Sequence, residues 1–147
     1  MGRAAGRPPG LNGAHRANKG TGRPGKAGAR AAGERGEALA ARYLEKKGYR
    51  IVARNFRCPY GEIDLIASQG EYLVFVEVKT RRGRTAFDPA LAVNARKMDK
   101  LRALAAYYLA AHYVAGHPQD ELQPRFDVIA VMLAAAGPRV RHIENAF

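Results

Sequence analysis

At residues 61–79 the chain reads Gly61-Glu62-Ile63-Asp64-Leu65-Ile66-Ala67, then Ser68-Gln69-Gly70-Glu71-Tyr72, then Leu73-Val74-Phe75-Val76-Glu77-Val78-Lys79. The first and last of these runs are apolar and strand-like, yet each carries acidic side chains among its apolar residues. Burying a charge among apolar groups is costly unless the charge is paired or binds a metal. Acidic residues on two neighbouring strands therefore predict a functional site.

The short connection predicts an antiparallel hairpin, and the length of its loop decides which side chains meet. Because side chains alternate between the two faces of a strand, an even loop puts Asp64, Glu77 and Lys79 on one face. An odd loop would separate them across the sheet. A two-residue loop beginning at Gln69 sets Asp64 opposite Phe75, whereas a four-residue loop beginning there sets it opposite Glu77.

A pair of carboxylates on one face of a hairpin can bind a divalent cation. Directly opposed strand residues have Cβ atoms about 5 Å apart, so Asp64 and Glu77 could share one cation. Two carboxylates and a backbone carbonyl form a hard oxygen site that suits Mg²⁺ or Mn²⁺. Lys79 could orient an attacking water or stabilise a charged transition state. Three basic residues nearby could hold flanking phosphates, namely Arg81, Arg82 and Arg84.

This set of residues fits metal-assisted phosphodiester hydrolysis. The alternative is a structural cluster in which Lys79 neutralises Glu77 and the acidic side chains cap loops.

Composition limits the class of protein. With 147 residues and 47% hydrophobic content, the chain is expected to form one domain with an extension. It has no run of 18 apolar residues, which predicts no membrane span, and no apolar segment follows the basic N-terminal residues as in a secretory signal. The single cysteine, Cys58, excludes an internal disulfide and fits a reducing compartment, so a cytoplasmic protein is expected.

The net charge of +12 is unevenly distributed. Residues 1–33 contain seven Lys and Arg and no acidic residue, and they are rich in Gly, Ala and Pro. Such a segment buries too little apolar surface to offset its ordering entropy, so residues 1–32 are expected to be a disordered basic tail and residues 33–147 the domain. The tail is either a solubilising extension or a basic arm that contacts phosphates.

Periodicity predicts two helices and five strands. The long second helix is expected to be capped by Asn94 and to bury Met98, Leu101, Leu104, Ala105, Tyr108 and Leu109. The three consecutive strands indicate a meander, and the strand after the second helix could join it in parallel. The fold class is therefore α/β, a mixed central sheet flanked by helices in the order α-β-β-β-α-β-β. The predicted helices span about 33–47 and 94–114, and strands other than the hairpin span about 49–56, 125–133 and 140–143.

Several motifs in chain order resemble the YraN-type family, which comprises small bacterial proteins with a restriction-endonuclease-like fold. The resemblance covers about residues 33–147. It is carried by Gly36-Glu37, Arg54-Asn55, Gly61 to Ala67, Val74 to Lys79, Lys97, Arg125-Phe126-Asp127-Val128 and Asn145-Ala146-Phe147.

The likeness of that family to the PD-(D/E)-x-K nucleases, including resolvases, implies roles for individual residues. Asp64, Glu77 and Lys79 match the core motif, and Glu37 matches the helix-borne acid that completes metal binding. Asp64, Glu77 and Glu37 are thus the implied metal ligands. The chain departs from the pattern in having Ile63 where a proline often precedes the first acid.

Other residues carry weaker signals. Glu62 shares a face with Asp64 and is interpreted either as an acid supporting the site or as an exposed carboxylate. Lys97 lies in the first turn of the second helix, where it could contact a phosphate or simply be solvated. Asp127 lies in an apolar strand and is expected to be hydrogen-bonded structurally, with Arg125 as a partner.

The sequence thus favours a metal-dependent endonuclease acting on DNA, with branched or structured DNA as the candidate substrate. The alternative is a nucleic-acid-binding module of the same fold that does little chemistry. A third, weaker hypothesis is an assembly factor whose basic surface meets RNA or an acidic protein. Many resolvase-like nucleases are dimers, so the resemblance leaves a homodimer open, although the sequence has no dimerisation motif.

Overall fold

The computed structural model describes residues 25–83, 93–112 and 122–147. Its element order confirms the predicted α-β-β-β-α-β-β arrangement. The elements are α1 (Lys26–Lys46), β1 (Arg50–Cys58), β2 (Gly61–Gln69), β3 (Tyr72–Arg82), α2 (Ala95–His112), β4 (Gln123–Ala134) and β5 (Gly137–Ile143).

The strands form one five-stranded sheet in the order β1-β2-β3-β4-β5. β1, β2 and β3 are an antiparallel meander, β4 joins β3 in parallel, and β5 returns antiparallel to β4. Because parallel strands need a crossover connection, the chain passes through α2 between β3 and β4. The predicted mixed sheet and parallel fourth strand are therefore confirmed, and the architecture is consistent with a restriction-endonuclease-like α/β fold.

Both faces of the sheet are buried, one under each helix. On β3, Val74 and Val76 pack with α1, while Leu73 and Phe75 pack with α2, as strand alternation requires. The α1 side buries Ala40, Ala41, Leu44, Tyr49, Leu65, Ala67, Val74, Val76, Ile129 and Val131. The α2 side buries Ile63, Ile66, Leu73, Phe75, Leu101, Leu104, Ala105 and Tyr108.

Helix α1 begins earlier than predicted. It starts at Lys26 rather than Gly33, so residues 26–32 are helical and do not belong to a disordered tail. Five of these seven residues are alanine or arginine, which favour helix, and Ala32 is buried. The remainder of the predicted tail, residues 1–24, lies outside the described residues.

Helix α2 has the predicted cap and buried face. The backbone N–H of Lys97 donates to Asn94 Oδ1 over 2.9 Å. Of the six residues predicted to face the core, Met98 and Leu109 are only partly buried.

Neither helix of the described residues combines the length and apolar character that a bilayer span requires.

The hairpin between β2 and β3 has an even loop, as its proposed site requires. Gln69 pairs with Tyr72, which leaves the two-residue loop Gly70-Glu71. Continued along the strands, this register places Asp64 opposite Glu77. This pairing is the one expected for a four-residue loop that begins at Gln69. In the structure each strand extends one residue further, so Gln69 and Tyr72 are paired and the loop has two residues.

Candidate functional site

Asp64 and Glu77 lie side by side where β2 and β3 reach the edge of the apolar core. Glu77 is buried, with 7% of its surface exposed, and Asp64 is half-buried. The backbone N–H of Val78 donates to Asp64 Oδ2 over 2.8 Å and holds that carboxylate against β3. Two acidic groups thus share one partly dry position between adjacent strands.

Two lysines contact the same oxygen of Glu77. Lys79 Nζ lies 3.0 Å from Glu77 Oε1, and Lys97 Nζ contacts that atom from the first turn of α2. The Asn94 cap orders this turn and so helps to place Lys97. Lys97, predicted as a phosphate contact, is therefore located within the carboxylate cluster.

Helix α1 brings Glu37 to the site because its neighbour Gly36 allows a close approach. Gly36 packs on β3 so tightly that an added Cβ would lie 2.9 Å from both Cβ and Cγ2 of Thr80. A side chain at position 36 would push the helix from the sheet. The helix-borne acid thus depends on a glycine contact one residue before it.

Asn55 connects two of the acidic residues and was not among the predicted site residues. With its amide nitrogen turned towards the carboxylates, it donates to Glu37 Oε2 and Glu62 Oε1, each over 2.9 Å. Its φ of +49° is unusual outside glycine but is tolerated by asparagine. Glu62 Oε2 also accepts a hydrogen bond from Arg57 Nε over 3.1 Å. In sequence, only the Arg54-Asn55 pair of the family resemblance indicated this residue.

The crowding of acids shifts the pKa values of the site. Burial, followed by repulsion from Glu77 and Glu37, raises the pKa of Asp64 to about 7. Burial and the charge of Glu62 raise the pKa of Glu37. Burial and the proximity of Lys97 lower the pKa of Lys79. The site therefore holds acids that resist ionisation beside a lysine that gives up its proton more readily than usual.

A shared cation would relieve this repulsion. Within residues 25–83, 93–112 and 122–147, no three or more His, Cys, Asp or Glu side chains converge as a ready metal-binding group. Mg²⁺, however, commonly uses one or two carboxylates and completes its shell with water and substrate phosphate. Asp64 and Glu77 fit that requirement as a pair, while Glu37 acts on Asp64 through its charge and does not converge with the two as a third ligand.

Two open grooves flank the cluster. The first has a volume of about 340 Å³, and we name it the carboxylate groove because acidic side chains lie on its wall. It is lined by Glu62, Asp64, Glu77, Lys97, Lys100, Leu101 and Leu104. The other groove, of about 490 Å³, lies between α1 and the end of β3, where Arg81 and Arg82 join Glu37 and Lys79. The third predicted phosphate contact, Arg84, lies outside the described residues.

Asp127 belongs to a separate, structural network. It is fully buried and accepts hydrogen bonds from Arg125 Nε over 2.9 Å and Arg125 Nη2 over 2.8 Å. His142 Nε2 lies 2.7 Å from the same carboxylate, and the backbone N–H of Asn145 donates to it over 3.0 Å. The expected structural role and the Arg125 partner are confirmed.

Comparison with known proteins identifies the family. The model of the "Uncharacterised protein family UPF0102" matches residues 36–131, which include every candidate acid and both lysines. A UPF0102 protein of Moorella thermoacetica is 52% identical over 101 residues, covering 69% of this chain and 80% of that protein.

Two other relatives match over a longer span. A UPF0102 protein of Rhodococcus jostii is 47% identical over 118 residues, covering 80% of this chain and 96% of that protein. A UPF0102 protein of Geobacter sulfurreducens is 47% identical over 116 residues, covering 78% and 87%. The chain therefore belongs to the uncharacterised family UPF0102, the YraN-type family.

Proposed function

We propose that this protein is a metal-dependent endonuclease that hydrolyses phosphodiester bonds in DNA, with branched or structured DNA as its substrate. One observation carries the proposal: the register of β2 and β3, continued by one residue, sets Asp64 opposite Glu77, and burial, followed by repulsion from Glu77, raises the pKa of Asp64 to about 7. Such perturbed acids in a groove are typical of catalytic sites.

In this proposal Asp64 and Glu77 hold Mg²⁺ or Mn²⁺, and Glu37 completes the acidic set. The bound cation supplies Lewis acidity towards a phosphoryl oxygen and makes water a better nucleophile. Lys79, whose pKa is lowered by burial and by Lys97, is suited to orient the attacking water or to exchange a proton with it. Lys97 can neutralise either Glu77 or an incoming phosphate.

A cleavage assay tests this function. Wild type is expected to cut at least one of linear, nicked and four-way-junction DNA with Mg²⁺ or Mn²⁺, and Asp64→Ala should lose on the order of 100-fold or more in rate. Asp99→Asn is a matched control, because the Asp99 side chain is 78% exposed and lies on the outer surface of α2. Equal behaviour of wild type and Asp64→Ala on every substrate would refute the proposal.

One observation favours a second candidate, a nucleic-acid-binding module without chemistry. Lys79 and Lys97 both contact Glu77, so the buried carboxylate is neutralised by the protein itself. A pure binder should retain DNA in EDTA and bind Mn²⁺ no more tightly than Asp64→Ala does. Calorimetric titration of Mn²⁺ into both proteins distinguishes the two functions, since the endonuclease requires an affinity that depends on Asp64.

A further inference from the structure

Two tyrosines form an exposed pair beside the carboxylate groove. Among the described residues, Tyr60 and Tyr107 are the large apolar side chains left exposed, at 67% and 40%. Their ring centroids lie 5.8 Å apart at an interplanar angle of 70°, so they form one surface. We name this surface the tyrosine pair. Tyrosines combine a broad apolar face with a polar tip, which suits them to contact with a ligand at a wet surface.

The tyrosine pair lies next to the carboxylate groove, because the residue that follows Tyr60 packs against side chains that line the groove. Tyr60 lies in the turn between β1 and β2, and the next residue, Gly61, packs against α2. An added Cβ at Gly61 would lie 3.4 Å from Lys100 Nζ and 3.5 Å from Leu104 Cδ1, and both of these side chains line the carboxylate groove. The aromatic surface therefore continues into the groove wall.

The charge around the tyrosine pair fits a polyanion. Lys97 and Lys100 lie on the same helix as Tyr107, and the first turn of α2 contains no acidic residue. Glu62, two residues from Tyr60, also lines the groove, but its carboxylate is paired with Arg57 Nε over 3.1 Å. An apolar aromatic surface flanked by cations is complementary to a chain of phosphates that carries flat bases.

We infer that the tyrosine pair stacks the unpaired bases of a single-stranded DNA segment, whose phosphates pass Lys100 and Lys97 into the carboxylate groove. Unpaired bases expose the π-faces that aromatic side chains bind, whereas duplex bases are already stacked on one another. Tyr107 lies about 15 Å along α2 from Lys97, the length of about four stacked nucleotides. Only the choice of DNA rests on the proposed function.

Fluorescence anisotropy on the full chain tests the inference. The probes are a labelled single-stranded DNA oligonucleotide, its blunt duplex and an RNA of the same sequence, in EDTA at low salt. Wild type is expected to prefer the single strand. Tyr60→Ala and Tyr107→Ala should each weaken single-strand binding by about tenfold, with duplex binding nearly unchanged. Because Tyr60 lies on an exposed turn, its substitution remains informative even if Tyr107→Ala folds poorly.

Matched variants separate stacking from other causes. Tyr60→Trp and Tyr60→Phe keep an aromatic face and should retain affinity, whereas Tyr60→Leu should lose it as alanine does. Lys100→Ala should weaken both DNA probes, while Arg139→Ala removes the same charge from the distant strand β5 and should weaken neither.

Three results would overturn the inference: no loss with Tyr60→Ala, an equal loss for single strand and duplex, or full affinity with Tyr60→Leu. Tighter tyrosine-dependent binding of RNA than of DNA would overturn the assignment to DNA. Because the assay needs no cleavage, an inactive wild type with tyrosine-dependent binding would reject the proposed endonuclease and leave this inference intact.

Discussion

Asp64 is held in a fixed position, but its carboxylate is costly to ionise there. Its carboxylate is held by the Val78 N–H but lies in a partly dry site near Glu77 and Glu37. A folded-state pKa of about 7 lies above the ordinary value of 3.8, so the folded protein keeps this proton after the unfolded chain has lost it. The contribution of Asp64 to stability therefore falls as pH rises from about 4 to about 7.

Asp64→Asn should consequently stabilise the metal-free protein at about pH 8 by on the order of 1–4 kcal/mol, and much less at about pH 4. The amide oxygen can still accept from Val78, so the main change is the loss of charge. Urea unfolding in EDTA at both pH values measures the effect. Asp99→Asn, on an exposed side chain, should change stability little at either pH. An Asp64→Asn effect that is equal at both pH values would contradict the raised pKa.

Asp127 has the opposite pH behaviour. Burial alone raises its pKa, but hydrogen bonds from His142 and Arg125 lower it overall, below the ordinary value. A group with a depressed folded-state pKa stabilises the protein above its unfolded pKa, and that stability is lost as pH falls through the folded value. The Asp127 network should therefore contribute at neutral pH and weaken in acid.

Asp127→Asn is expected to lower the free energy of unfolding at neutral pH by about 3–5 kcal/mol, because it leaves the guanidinium of Arg125 without a carboxylate. The side chain of Arg125 is only 11% exposed, so water cannot replace the partner. The free energy of unfolding of the variant, measured with denaturant across the acid range, should also depend less on pH than that of wild type. If the two proteins lose stability equally as pH falls, Asp127 does not control the acid dependence.

At the scale of elements, the contact of α1 with β3 places the helix-borne acid. Gly36→Ala should lower stability by about 1–3 kcal/mol, because its Cβ would overlap Thr80 and force the helix outwards. Gly33→Ala is the matched control: nothing lies within 4 Å of its Cβ position, and alanine favours helix by about 1 kcal/mol. Thermal unfolding should move in opposite directions for the two variants. Movement in the same direction would contradict the packing argument.

At the scale of the whole molecule, the charge of +12 predicts salt-dependent binding of nucleic acid. The logarithm of the binding constant should fall linearly with the logarithm of salt concentration, since each neutralised phosphate releases counterion. Arg82→Ala, in the groove beside Lys79, should reduce the magnitude of this slope by about one. Arg139→Ala on the far strand β5 should not. An affinity independent of salt would mean that the basic residues contact no phosphate.

Much of the fold could be predicted from periodicity. The meander and the Asn94 cap follow from residues close in the chain, and both are present. The parallel fourth strand is present too, but it joins residues far apart in the chain, such as Tyr72 and Gln123. The start of α1 was predicted too late because Lys26 to Ala32 has no large apolar residue and continues the Gly-, Ala- and Arg-rich composition of the preceding segment. That stretch is stabilised as a continuation of a long helix, and the burial of Ala32 at its end depends on packing that composition does not reveal.

Strand alternation, a local property of the sequence, put Asp64, Glu77 and Lys79 on one face on condition that the hairpin loop was even. The pairing of Gln69 with Tyr72 in the structure met that condition. The distant groups that complete the cluster became known from the folded structure: Lys97 on Glu77, and Asn55 between Glu37 and Glu62. Those contacts depend on how closely two helices approach the sheet. That distance is set by packing, for α1 at the contact of Gly36 with Thr80, and no sequence period encodes it.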